Sequence, residues 1–172
     1  MNDILVRALF DSPAKADGGL KALRANGVAG GDVSVIVSEH THRALGEDFE
    51  TTSVSKAAEG AGVGGAIGGV AGATIGAIVA IGSNLVVPGL GVVIAGPIAA
   101  ALAGAGAGGL AGTMVGALVG AGVPEEHATV FEAGVRKGGV MMVVRAHTPA
   151  EASTIEAALR ANGAEQTSLQ SN

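Results

Sequence analysis

Leu23-Arg24-Ala25-Asn26-Gly27 recurs letter for letter as Leu159-Arg160-Ala161-Asn162-Gly163, and Ser12-Pro13-Ala14-Lys15-Ala16 recurs in outline as Thr148-Pro149-Ala150-Glu151-Ala152. Both matches share one offset of 136 residues, without a gap. Two blocks held at one spacing point to an internal duplication. Each copy reads the same way. Ile4 to Phe10 and Val140 to Ala146 are apolar, β-rich runs. Ser12 or Thr148 then supplies an N-cap, followed by Pro at the first helical position. Leu20 and Leu23, or Ile155 and Leu159, form an apolar stripe at helical spacing. Asn-Gly ends each helix at a left-handed C-cap. After the first copy, residues 32–38 alternate as a strand with Val33, Val35 and Val37 on one face; after the second, residues 164–169 make a weaker strand.

Two β-α-β units in one sheet predict an α+β, ferredoxin-like split βαβ domain, with an antiparallel sheet and helices on one face. Such a domain usually joins its halves by a short link. Here residues 39–139 intervene. The reading divides the chain into a first βαβ half (1–38), a polar linker (39–56), an inserted hydrophobic glycine-zipper helical hairpin (57–122), an amphipathic helix (123–139) and a second βαβ half (140–172). Pro124-Glu125-Glu126 suits the start of that amphipathic helix, Arg136-Lys137 its last turn, and Gly138-Gly139 its stop.

Charge marks out the insertion. Between Glu59 and Glu125 there is no Asp, Glu, Lys, Arg or His. Within that stretch Gly60, Gly64, Gly68, Gly72 and Gly76 fall every fourth residue, and a second arm carries Gly96, Ala100, Gly104, Gly108, Gly112, Gly116 and Gly120. On helices these rows form narrow ridges. Ser83, Asn84, Pro88, Gly89 and Gly91 mark a turn between the arms. Glycine costs a solvated helix about 1 kcal/mol relative to alanine, so such arms need enclosure. Small-xxx-small faces permit close backbone approach in a bilayer or in the dry centre of an oligomer. The glycines named above are the expected helix-packing and oligomer interface.

Length allows each arm to cross a bilayer once, and an uncharged tip with Lys56, Arg136 and Lys137 near the base suits a cytoplasmic base. The absence of Trp and Tyr, and surfaces poor in Leu, argue the other way. The expected location is the inner membrane with a cytoplasmic α+β domain, or a large cytoplasmic assembly. The expected partners are further copies of the chain and membrane lipid.

Other function classes lose ground on composition. A net charge of −5 offers no footprint for a phosphate backbone, and without Trp or Tyr there are no strong stacking platforms, so nucleic acid is not an expected partner. Zero cysteines remove disulfides and thiolate chemistry. The N-terminus lacks a secretory pattern. His40 and His42 form an H-x-H pair near Glu39, Glu47 and Asp48, but no third or fourth ligand is identifiable, and His127 and His147 read as a helix-start and a turn residue; no metal is assigned. The glycines run through predicted helix interiors with no Lys, which is not a phosphate-cradling loop. No cofactor and no catalytic residue is expected.

Val87-Pro88-Gly89-Leu90-Gly91 and Ala95-Gly96-Pro97 in a glycine-zipper insertion, followed by Gly122-Val123-Pro124-Glu125-Glu126 and a Gly-Gly before the next strand, resemble the bacterial general stress or low-temperature-induced protein family across nearly the whole chain. That resemblance implies a bacterial, stress-linked and membrane-associated setting and supplies no catalytic residues. The resulting expectation is a non-enzymatic, self-assembling structural or membrane-associated stress protein. Its rivals are an oligomeric channel or conduit for small or apolar solutes and a small-ligand-binding regulatory module.

Overall fold

The computed structural model describes residues 4–45, 84–87, 91–96, 113–120 and 122–171. β1 (Ile4–Phe10) leads into α1 (Pro13–Ala25), and a 3-10 turn at Gly30–Asp32 delivers the chain to β2 (Val33–Ser38). Residues 39–45 are helical. β3 (Asn84–Val87) and β4 (Val92–Ala95) follow, then a short helix α2 (Met114–Gly120) and the amphipathic α3 (Glu125–Arg136). β5 (Val140–Ala146), α4 (Pro149–Ala161) and β6 (Gln166–Ser171) complete the order.

The duplicated helices end as their sequences dictate. Gly27 and Gly163 take φ of +81° and +88°. The amide N–H groups of Val28 and Ala164 donate back to the carbonyls of Leu23 and Leu159, each at 3.1 Å. Only a residue without a side chain adopts that left-handed turn without strain, and the back-bonds satisfy carbonyls the helix leaves open.

The sheet runs β3-β4-β2-β5-β1-β6, and every described pairing is antiparallel. Its last four strands, β2-β5-β1-β6, are the ferredoxin-like core, with the β3–β4 hairpin added beyond β2. The register preserves the duplication. β1 pairs with β5, while β2 pairs with β5 as β6 pairs with β1. Arg7 faces Val143 across the central pairing, and these two positions are also counterparts at the 136-residue offset. A local two-fold axis therefore passes between them.

Helices cover both faces, where the sequence led us to expect one. Val6, Ala8, Phe10, Val35, Met142 and Val144 pack with Leu20 and Leu23 of α1 and Ile155 and Leu159 of α4. On the reverse, Leu9, Ile36, Ile94, Met141 and Val143 pack with Met114 and Leu118 of α2 and Phe131 and Val135 of α3. The cause lies in β5, whose residues 140–144, Val-Met-Met-Val-Val, are apolar on both faces and buried throughout. A strand without polar alternation needs a second layer. Ala128, Phe131 and Val135 supply it at helical spacing.

The insertion also departs from expectation. The turn expected from Ser83 to Gly91 falls within a β-hairpin of β3 and β4, whose second strand pairs with β2, from Val35↔Ala95 to Ser38↔Val92. β-branched residues on both sides of Pro88-Gly89 favour that outcome. Ala95 and Met114 are both buried in the α+β unit, so the link between them starts and finishes on one body. The helical arms expected over residues 57–83 and 97–112, with the bilayer crossing read into each, lie outside the described residues. Among the described residues, no helix is long and apolar enough to cross a membrane.

Candidate functional site

Two features are candidates for a functional role: the points where the charge-free stretch is tied to the α+β unit, and a polar zone around the local two-fold axis. The first begins at Gly96. Its φ is +109°, and a Cβ placed there would lie 2.6 Å from the Val33 carbonyl oxygen and 2.8 Å from both Cα and Oγ of Ser34. Gly96 is therefore required by the close approach of the chain leaving β4 to the start of β2. Its expected place in a helical glycine row is corrected accordingly.

The second tie is α2. Thr113 Oγ1 accepts the Gly116 N–H at 3.1 Å, which caps the helix start. Glu132 of α3 reaches across: one carboxylate oxygen accepts the Val115 N–H at 3.0 Å, and the other accepts Arg136 Nε at 2.8 Å. A carboxylate beside unpaired amide groups of a helix start is favourable. Gly116 is buried here and Gly120 is exposed, in a short helix that packs on α3 and the sheet. Gly60, Gly64, Gly68, Gly72, Gly76, Gly104, Gly108 and Gly112 lie outside the described residues.

The polar zone occupies the second face of the sheet, beside the α2–α3 cover. Arg7 is 3% exposed at the centre of β1 and stands opposite Val143 on one side and Ser168 on the other. Ser34, fully buried, faces Val143 from β2. Arg145 is the diagonal neighbour of Arg7, a separation of about 7–8 Å in such ladders. Burial pushes the Arg7 guanidinium below its ordinary pKa. A guanidinium nevertheless keeps its charge in a protein, so burial requires partners, and Arg7, Ser34 and Arg145 all have them. Such a group can hold carboxylate, phosphate or backbone carbonyl oxygens, and it gives the second face a fixed positive charge.

Sequence reading missed this zone, although a single arginine inside the run Ile4-Leu5-Val6-Arg7-Ala8-Leu9-Phe10 was a legible signal. It also missed the reach of Glu132. The histidines do not assemble. His40 is exposed and His42 half-buried on the helical segment 39–45, where a two-residue step turns the side chains about 200° apart. His127 Nδ1 is buried without a hydrogen-bond partner at the start of α3, and His147 Nε2 lies 3.7 Å from an Asp32 carboxylate oxygen. Among the described residues, no group of three or more His, Asp or Glu could hold a metal ion.

Comparison with protein-family models, with curated proteins and with solved structures finds no match.

Proposed function

We propose that this chain is a non-enzymatic, self-assembling structural protein in which the glycine-rich insertion joins copies and the α+β unit serves as the platform that holds it. The observation that carries this reading is the run from Gly60 to Pro124, which has no charged side chain and a glycine at every fourth residue from Gly60 to Gly76. Backbone-rich, side-chain-poor segments gain little by facing water and much by close mutual approach. The ties at Gly96, Thr113 and Glu132 favour a self-made enclosure over a hairpin threaded through lipid, because they fasten the segment to the platform at residue 96 and again at residues 113–116. A stress-linked setting rests on the sequence resemblance alone.

Replacing Gly68 and Gly108 by Leu tests the reading. The wild-type protein in detergent-free buffer is expected as a defined oligomer by size-exclusion chromatography with light scattering, and the double variant as smaller species with the same far-ultraviolet spectrum. An unchanged particle sinks the glycine interface. Protein that pellets with membranes and resists carbonate extraction makes lipid the enclosure instead.

A further inference from the structure

We propose a second contact between copies: β6 pairs antiparallel with β6 of another copy, about a two-fold axis through Leu169 perpendicular to the sheet. Among the described residues, β6 is an edge strand hydrogen-bonded only to β1. Natural sheets blunt their edges with Lys, Pro, bulges or a covering element, because a bare edge is a template for another strand. Gln166–Ser171 contains no Lys, no Pro and no charge of either sign. Its register with β1 is unbroken, without a bulge, from Ser171 to Gln166.

Three observations favour a second copy as the occupant. A two-fold axis sets the central residue against itself, so any charge there would meet its like, which is destabilising between directly opposed residues. β6 has none, and Glu165 falls outside the paired stretch. Leu169 is 49% exposed at the proposed centre, although its neighbour Val6 on β1 is fully buried. Setting Leu169 on Leu169 covers the most exposed large apolar side chain among the described residues. On the other face Ser168 Oγ is buried without a hydrogen-bond partner, an unfavourable state that a strand laid alongside can relieve.

The edge is also held ready. Arg160 Nε donates to Thr167 Oγ1 at 2.8 Å, Thr167 Oγ1 donates to Glu156 at 2.8 Å, and Arg160 bridges to the same Glu156 oxygen at 2.7 Å. This network pins β6 to α4, so a partner strand meets a preordered backbone. Pairing over residues 167–171 is small against the roughly 1,000 Å² of a stable interface. The contact therefore draws its strength from avidity within the assembly proposed above, and it rests on that reading for affinity while its geometry does not.

The chain has no cysteine, which permits a test without background. Opposed residues in an antiparallel pair lie about 4.5–5.5 Å apart between Cα atoms, within disulfide range. Leu169→Cys, oxidised in the assembled protein, should form a covalent dimer about an order of magnitude faster than Ser153→Cys, exposed on α4, because pairing raises the local thiol concentration. Thr167→Cys, opposite residue 171 of the other copy, should fall between them. Equal rates at 169 and 153 in a particle of wild-type size overturn the edge contact and leave assembly through the insertion standing. Rapid linkage at 169 with a particle unchanged by the Gly68 and Gly108 replacements leaves the edge contact standing and removes the insertion reading.

Discussion

Phe10 and Gly19 in the first half of the domain occupy the positions that Ala146 and Ile155 occupy in the second, each pair at the same 136-residue offset. The space between strand end and helix is filled from the strand in one copy and from the helix in the other. Gly19 is obligatory in its setting: a Cβ there would lie 2.8 Å from the Phe10 ring and 3.3 Å from Leu159. Ile155 is 1% exposed where the strand offers only alanine. The two halves keep the same occupied volume and backbone path while the residues supplying the volume have changed places, as interiors packed to crystal density require.

Converting one half into the other tests this exchange of volume most severely. Phe10→Ala should cost about 3–5 kcal/mol in urea unfolding. Adding Gly19→Ile should restore part of that loss by imitating the second copy. A double variant no more stable than Phe10→Ala would show that the two sites are not equivalent. A smaller effect is expected at the helix ends, where the copies agree. Gly27→Ala and Gly163→Ala should each cost about 1–2 kcal/mol for a side chain held at positive φ. The two should match, since nothing lies within 4 Å of a Cβ at Gly27, and the nearest atom at Gly163 is the flexible stem of Lys15. The smallest effect separates the helix starts. Thr148 Oγ1 accepts the Glu151 N–H at 3.1 Å, and Glu151 returns the favour to the His147 N–H at 2.8 Å. Ser12 makes no such cap, while Asp11 hydrogen-bonds Lys15, which holds its carboxylate below the usual pKa. Thr148→Ala should therefore lower stability by about 1 kcal/mol, and Ser12→Ala by a few tenths at most, read from paired thermal melts.

What the sequence disclosed follows from which interactions are local. Helix caps, the Asn-Gly stops and the apolar stripes depend on neighbours within a few positions, and β1, α1, β2, β5 and α4 emerge close to their expected bounds. β6 begins two residues later than expected, at Gln166, because pairing with β1 decides its bounds and its own side chains signal weakly. The β3–β4 hairpin was hidden by its surroundings. Leu85-Val86-Val87 and Val92-Val93-Ile94 carry an ordinary strand signal around Pro88-Gly89, but the four-residue glycine period drew the whole stretch toward helix. Arg7 differs: a lone arginine in an apolar strand stands out in the sequence, but what surrounds it depends on a pairing between residues far apart in the chain.

That separation has a consequence for how the molecule is made. β1 and its central neighbour β5 are joined only after the ribosome has synthesised everything between them, including the full uncharged stretch. Until then β1, α1 and β2 lack the strand that belongs between β1 and β2, and two apolar sheet faces wait uncovered. Pairings that close late are slow and leave sticky surfaces available to other nascent chains. Fast synthesis of this chain therefore exposes it to mispairing during translation, before β5 is available to close the sheet.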